Sequence, residues 1–355
     1  MTTLDFLVRR DDLRRYEVAQ APKPEPEPGE ILLRVDKFGF SANNVTYAEL
    51  GDTMRYWDFF PAPGGWGRVP VWGYADVERS RHHAIQDGRR VFGYLPMSTH
   101  AVLQPDRVAE TRFVDGAPHR ADLPGVYQRY SLVPHPEDED QEALWRPLFM
   151  TSFGAADFLA EHDLFGARAV VFSSASSKTA LGTAFLLSQG GAELIGLTSA
   201  GNVEFCRRLG YYDEVLPYER LHSLSRETPT LFVDFAGNER LLGELQRHLG
   251  SSLTQTCVVG ATHWEEHDAG SELGGAGAPF FFLPPWIEQR RQDWGPGEFG
   301  RRYAAAWSEF LPSAKSWLTV VHAVGPAAVE AVYREMLDGR CDPSVGHILS
   351  LHGHD

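Results

Sequence analysis

A serine-rich turn with one lysine is the stretch of this sequence best equipped for chemistry. Residues 170–184 read VVFSSASSKTALGTA, so an apolar run leads into the turn and a helical pattern follows it. A turn in this position directs backbone N–H groups and the positive end of a helix at its ligand, and phosphate is the expected ligand. Hydroxyl groups and a lysine add further donors and positive charge. The candidate residues are Ser174, Ser176, Ser177, Lys178 and Thr179.

Three interpretations of this turn compete. A Walker A loop needs glycine immediately before the lysine and again five residues earlier, but these positions are Ser177 and Phe172. The dinucleotide pattern G-x-x-G-x-x-G falls on Ser174, Ser177 and Ala180, which are small although none is glycine. Serines here could also simply cap the helix. The spacing favours a dinucleotide site over a P-loop nucleotide hydrolase and leaves the helix cap as the simpler alternative.

The end of the next predicted strand distinguishes between the two nicotinamide cofactors. An NAD site commonly places Asp or Glu there to bind the ribose hydroxyls. This chain has Thr198-Ser-Ala-Gly-Asn202 instead. Because this segment contains no carboxylate, nothing in it would repel a 2′-phosphate. Thr198, Ser199 and Asn202 could donate hydrogen bonds to that phosphate. NADPH or NADP is therefore favoured over NAD.

The elements that must position this turn follow from the hydrophobic pattern. From about residue 165, apolar strands alternate with helical segments, which predicts a doubly wound parallel sheet. The first 130 residues instead contain short β-prone runs punctuated by Gly and Pro, such as Arg90–Tyr94 and His100–Leu103, which predicts an irregular β domain. The acidic run at 136–141 is predicted to be a solvated hinge. The fold class is thus α/β.

Composition narrows the function classes. The chain has 355 residues, of which 43% are hydrophobic, enough for two domains. A formal net charge of -15 argues against nucleic-acid and anionic-membrane partners. Three cysteines without short spacing suggest neither a disulfide framework nor a zinc site, and no segment approaches the ~20 apolar residues of a spanning helix. We expect a soluble, unprocessed cytoplasmic protein with a small-molecule substrate.

The chain resembles the zinc-independent quinone reductase and enoyl reductase branch of the medium-chain dehydrogenase/reductase superfamily. Four stretches carry the resemblance: GEILLRV at 29–35, RVFG at 90–93 with the following MSTHAVLQP, the serine–lysine turn, and LGYYDEVLPY at 209–218. The resemblance implies a GroES-like catalytic domain formed by residues 1–131 and 312–355. It also implies a Rossmann dinucleotide-binding domain at 132–311 and a homodimer formed through that domain.

The resemblance also implies site residues. Tyr218, Gly237, Gly260 and Thr262 would contribute to the cofactor site, with His263 and Trp264 beside it. Zinc-dependent members carry a cysteine where this chain has Ser41, and Gly-His-Glu where it has Gly73-Tyr-Ala75. Since thiolate and imidazole ligands are both missing, no catalytic zinc is expected. The H-x-x-E-H match at 263–267 is interpreted as chance, because it falls in a loop between a strand and a glycine-rich segment.

A tyrosine near the substrate is typical of the resembling enoyl reductases, and residues 43–61 read NNVTYAELGDTMRYWDFFP. Tyr56 is the expected proton donor, with Asn44 and Tyr47 positioning the substrate; ordinary packing is the alternative for each. The predicted function is NADPH-dependent, zinc-free reduction of an activated C=C bond or quinone-like carbonyl on a bulky apolar molecule. A catalytically silent nucleotide-binding or scaffold protein of the same fold is the second hypothesis, because the turn has lost all three glycines.

Overall fold

The first third of the chain forms an irregular β structure whose longest strands have 10 or 11 residues, longer than the short runs that the sequence predicts, and alternating apolar runs build a regular sheet in the middle. The computed structural model describes residues 2–134, 137–259, 280–281, 283–295 and 297–353. It divides into a terminal unit, residues 1–144 with 318–355, and a central unit, residues 145–317. No helix among the described residues combines the length and the apolar character needed to cross a membrane.

The terminal unit is largely β structure. Its strands are β1 (Thr2–Arg9), β2 (Asp12–Pro22), β3 (Ile31–Phe40), β4 (Trp66–Arg68), β5 (Pro70–Ser80), β6 (Arg90–Pro96), β7 (His100–Leu103), β8 (Pro105–Ala109), β9 (Arg112–Asp115) and β10 (Arg129–Val133). Helix α1 (Ala42–Glu49) follows β3, and helix α2 (Glu139–Glu161) leads out of this unit.

The C-terminal segment completes the terminal unit. It contributes β17 (Thr319–Val324), α8 (Pro326–Leu337) and β18 (Val345–Ser350). The larger sheet has the order β17-β18-β3-β5-β6-β10-β9-β8, so β18 lies between β17 and β3. Strand β18 runs parallel to β17 and antiparallel to β3. Both chain ends therefore contribute strands to one irregular β unit.

The central unit holds residues 145–161 of α2 and a parallel sheet. Its elements are β11 (Ala169–Phe172), α3 (Lys178–Leu187), β12 (Glu193–Thr198), α4 (Val203–Leu209), β13 (Glu214–Pro217), β14 (Thr230–Asp234), α5 (Glu239–Leu249), β15 (Leu253–Val259), β16 (Phe280–Phe281), α6 (Leu283–Trp294) and α7 (Glu298–Trp317). The strand order is β13-β12-β11-β14-β15-β16, with every pairing parallel.

Alternate residues of β11 enter different hydrophobic cores. Val170 and Phe172 belong to one buried cluster, and Ala169 and Val171 belong to another. Because successive side chains of a strand point to opposite faces, both faces of the sheet are covered. The predicted α/β class, with an irregular GroES-like β part and a doubly wound Rossmann sheet, is confirmed.

The prediction of a solvated hinge at 136–141 is wrong for Glu139 and Asp140. Glu139 and Asp140 begin α2, and Glu139 is only 8% exposed. Its carboxylate is held by Arg90 and Lys37. The acidic residues are thus an anchored helix start, with negative charge at the helix N-terminus where it is favourable. Two apolar runs that read as strands in the sequence, 280–283 and 317–321, have different bounds in the structure. Leu283 starts α6 instead of ending the first strand, and Trp317 ends α7 instead of starting the second.

Candidate functional site

The serine–lysine turn lies at the carboxyl edge of the central sheet. Strands β12, β11 and β14 are neighbours and run parallel, so residues 173–177, Thr198 and Asp234 all lie at the same edge. The chain moves from β11 to β12 and β13 on one side and then to β14 on the other. Ligands of open α/β sheets bind at such a switch point.

Ser176 is the centre of a polar trio at this edge. Its Oγ accepts hydrogen bonds from Thr198 Oγ1 at 3.1 Å and from Asn202 Nδ2 at 3.0 Å. Ser199 is exposed beside them, in the 198–202 segment that contains no carboxylate. The structure thus brings together four of the predicted residues as uncharged hydrogen-bonding groups.

Two serines of the turn have local structural partners. Ser177 is the N-cap of α3, where its Oγ accepts from the Ala180 N–H at 3.3 Å. The capping interpretation therefore holds for this residue. The buried Ser173 hydroxyl donates to Asp234 Oδ1 at 2.7 Å, and the Ala236 and Gly237 N–H groups donate to the same oxygen. A P-loop nucleotide hydrolase would use a carboxylate at the end of a neighbouring strand, here Asp234, to bind its metal. Because Asp234 already accepts these hydrogen bonds, the P-loop interpretation is disfavoured.

Ser174 has an unusual backbone conformation. Its φ of 46° lies in the left-handed region, which costs a non-glycine residue about 1 kcal/mol or more. Its N–H donates to the Tyr218 hydroxyl at 2.9 Å. Glycine normally occupies such a position, so this serine retains the backbone shape expected of a glycine-rich turn.

Lys178 and Thr179 open helix α3. The Lys178 ammonium lies 6.0 Å from the ring centroid of Trp145. The Thr179 carbonyl accepts from Ser152 Oγ at 2.8 Å, which ties α3 to α2. Both predicted residues thus follow the turn directly and contact α2. Gly237 follows β14 with a φ of 65°, whereas Gly260, Thr262, His263, Trp264 and the H-x-x-E-H stretch lie outside the described residues.

The predicted tyrosines lie together in the terminal unit. The rings of Tyr47 and Tyr56 have centroids 4.7 Å apart, and each residue is 8% exposed. Asn44 is buried, and its amide is engaged: Nδ2 donates to the Pro70 carbonyl at 3.1 Å, and Oδ1 accepts from the Ser41 N–H at 2.9 Å. The two tyrosines are buried in ring contact with each other, while Asn44 fixes the start of α1.

A third tyrosine, which sequence reasoning missed, completes this cluster. The Tyr127 hydroxyl lies 3.4 Å from the Tyr56 hydroxyl. We call Tyr47, Tyr56 and Tyr127 the tyrosine cluster; Tyr94 lies outside it and packs its ring 4.7 Å from that of Tyr127. Burial is the main cause that raises the pKa of Tyr56 well above its usual value, so this phenol stays protonated at neutral pH. No spacing in the sequence links residues 71 positions apart.

The positions aligned with zinc ligands are used for packing. Ser41 is the N-cap of α1, and a Cβ on Gly73 would come 2.6 Å from the Cβ of Phe38. The Tyr74 hydroxyl donates to Glu142 at 2.7 Å. Within the described ranges, no three His, Cys, Asp or Glu side chains converge as metal ligands would.

Solved structures match the chain from end to end. CurA from Vibrio vulnificus in complex with NADPH matches with a TM-score of 0.67 at 12% identity, covering 99% of both chains. CurK enoyl reductase matches with a TM-score of 0.55 at 14% identity, covering 98% of this chain and 99% of that one. The quinone oxidoreductase from Coxiella burnetii gives a TM-score of 0.54 at 11% identity, with coverage of 98% and 99%.

Such distant identities define the fold, and the resemblance to medium-chain dehydrogenases/reductases is confirmed at that level. The chain belongs to the family described as "Protein of unknown function (DUF2855)", whose model matches residues 38–342. No curated protein sequence matches the chain.

Proposed function

We propose that this chain is an NADPH-dependent oxidoreductase that reduces an activated C=C bond or a quinone-like carbonyl without zinc. The observation that carries the proposal is the trio of Ser176, Thr198 and Asn202 at the switch point of a Rossmann sheet. The trio supplies hydrogen-bonding groups and no carboxylate where a 2′-phosphate would bind. The NADPH complex of the structurally similar CurA supports the same assignment.

The residues present fit this cofactor. Ser176, Ser199 and Asn202 would hold the 2′-phosphate with Lys178 nearby, and the N-terminus of α3 with Ser174, Ser177 and Thr179 would face the pyrophosphate. Tyr218 and Gly237 border the same edge, and we retain Gly260 and Thr262 as further candidates. NADPH, when bound, supplies the hydride. The chain supplies binding, orientation and a proton.

The proton source in this proposal is Tyr56. Its buried phenol is protonated at neutral pH and can protonate the oxygen or carbon that gains negative charge as hydride arrives. Tyr47, in ring contact with Tyr56, positions the substrate. Because aromatic rings surround the donor, we expect a planar, apolar acceptor.

We further propose that the protein acts as a cytoplasmic homodimer, which light scattering after gel filtration would test.

The experiment is a titration of purified protein with NADPH and NADH, followed by nicotinamide fluorescence, in the wild type and in Ser199→Asp. The variant places a carboxylate beside the trio, so we expect NADPH affinity to fall at least about tenfold while NADH affinity holds or improves. Ser251→Asp is the matched control, because Ser251 is exposed in the turn preceding β15, at the amino edge of the sheet. Equal binding of NADH, or binding of neither cofactor, would overturn the proposal.

A catalytically silent dinucleotide-binding protein is the second candidate. The observation that favours it is the Tyr218 hydroxyl, which already accepts the Ser174 N–H at 2.9 Å and so occupies one donor of the turn. NADPH consumption with 1,4-naphthoquinone and with an α,β-unsaturated aldehyde separates the two candidates. Tight NADPH binding without reduction of either acceptor would support the silent protein.

A further inference from the structure

We propose that Tyr127 is the positioning partner of Tyr56: it donates a hydrogen bond to the Tyr56 hydroxyl and replaces the proton that Tyr56 delivers. This inference rests on the proposed reduction. The two hydroxyls lie 3.4 Å apart, and the rings meet edge to face with centroids 5.7 Å apart. Tyr56 is buried while Tyr127 is half-buried, so a proton can pass from the more exposed phenol to the less exposed one.

The chemistry requires such a partner. When Tyr56 gives up its proton, its O–H bond breaks and a phenolate remains among aromatic rings, where an unpaired charge is costly. Burial raises the pKa of Tyr56, and a hydrogen bond from Tyr127 lowers it. The pKa of Tyr127 is itself raised, mainly by burial, so this hydroxyl stays protonated and able to donate.

The proton balance is complete with groups already named. Hydride comes from NADPH, and the Tyr56 proton goes to the acceptor. The Tyr127 proton then passes to the Tyr56 oxygen, and water returns a proton to Tyr127. The acceptor gains one hydride and one proton in total, and both tyrosines end as they began.

The short turns that carry the two tyrosines are held to one buried residue. Arg120 is 2% exposed, and its Nε donates to the carbonyl of Phe59, in the same short helix as Tyr56. Gln128, next to Tyr127, donates to the Arg120 carbonyl at 2.8 Å. Arg120 forms a 2.7 Å ion pair with Asp115, which is 1% exposed. This shared anchor fixes the spacing between the two hydroxyls.

Tyr94, which packs beside the tyrosine cluster, provides a matched control. Its hydroxyl is buried and has no hydrogen-bond partner among the described residues, although its ring packs against that of Tyr127. Tyr94→Phe therefore removes a buried hydroxyl without breaking a hydrogen bond. Tyr127→Phe keeps the ring and removes the hydroxyl that faces Tyr56 and also hydrogen-bonds with Tyr47.

The first readout is turnover of NADPH with 1,4-naphthoquinone as the acceptor. We expect Tyr127→Phe to lower kcat about tenfold and to leave the KM for NADPH unchanged. Tyr94→Phe should match the wild type. An unchanged kcat in Tyr127→Phe, or an equal loss in Tyr94→Phe, would overturn the inference.

The second readout needs no turnover and so separates this inference from the proposed function. The Cζ signal of Tyr56, recorded by NMR on ¹³C-labelled protein and assigned by its loss in Tyr56→Phe, reports hydrogen bonding at the hydroxyl. It should shift in Tyr127→Phe and stay in place in Tyr94→Phe. A signal that stays in place in both variants refutes the pairing, whereas failure of the NADPH titration refutes the proposed function.

Discussion

The Glu139 carboxylate lies 2.6 Å from the Arg90 guanidinium and 2.9 Å from the Lys37 ammonium. Arg90, itself 4% exposed, also reaches Asp36 and Asp76. These contacts tie the first turn of α2 to β3, β5 and β6, so the helix that leaves the terminal unit is anchored where it begins.

Glu139→Gln is expected to destabilise the protein by about 2 kcal/mol. Removing one partner of a buried ion pair leaves an uncompensated charge, which typically costs about 3–5 kcal/mol, but Arg90 keeps its two aspartates. Urea unfolding followed by tryptophan fluorescence measures the change. Glu137→Gln is the control, since Glu137 is exposed and a surface change stays within about 0.5 kcal/mol. Equal stability of the two variants would refute the anchoring role.

The same carboxylate predicts an acid-dependent loss of stability. Burial acts to raise the pKa of Glu139, but hydrogen bonds from Arg90 and Lys37 outweigh it and hold the pKa below its usual value. A lowered folded-state pKa gives stability that is present above the unfolded pKa, about 4.3, and is lost as pH falls through the folded value. Melting temperatures measured from pH 7 to pH 3 should fall more steeply in the wild type than in Glu139→Gln. Parallel curves would contradict this assignment.

Gly196 leaves room for the serine–lysine turn. An added Cβ would lie 2.8 Å from the Cβ of Ala175 and 3.2 Å from the ring of Tyr212. Gly196→Ala should therefore cost about 1–3 kcal/mol through overpacking and weaken NADPH binding by displacing the turn. At Gly201 an added Cβ meets no atom within 4 Å, so Gly201→Ala should change neither. Fluorescence titration and thermal melts distinguish the two variants, and unaltered binding in Gly196→Ala would refute the link.

Ser174 tests whether backbone shape or the hydroxyl matters at the turn. Ser174→Gly relieves about 1 kcal/mol of left-handed strain but adds unfolded-state freedom of about 0.4–1 kcal/mol, so stability should stay nearly constant. Ser174→Val should lose about 2 kcal/mol, because a β-branched residue tolerates positive φ poorly. Thermal melts check both values. A valine variant as stable as the wild type would show that the turn does not need this conformation.

The regular sheet could be predicted from sequence because its signals are local. For example, the apolar run Glu193–Thr198 forms β12, and the helical pattern from Val203 to Leu209 forms α4. The apolar run of the strand is continuous, and Gly210 ends the helix with a φ of 70°. The start of α2 was missed because its acidic residues look solvated until their partners, which lie far away in sequence, are known.

The position of the serine–lysine turn between a strand and a helix was predictable for the same local reason, whereas the tyrosine cluster was only half predictable. Tyr47 and Tyr56 lie close in sequence, but Tyr127 reaches Tyr56 only through the folding of the β unit. Asn44 shows a different limit of sequence-based prediction. Its residue type suits substrate binding, but its amide already makes hydrogen bonds to the backbone of Pro70 and Ser41. Residue type alone does not reveal which polar groups the backbone already uses.

The position of β18 has a consequence for biosynthesis. Phe38, Gly39 and Phe40 of β3 pair with Leu349, Ile348 and His347 of β18. These partners leave the ribosome only after the whole central unit, residues 145–317, has been made. At about 5–20 residues per second, the nascent chain carries this apolar strand edge unpaired for roughly 15–60 seconds. The terminal unit is therefore begun first and finished last, and an unpaired strand edge is open to association with other chains during that interval.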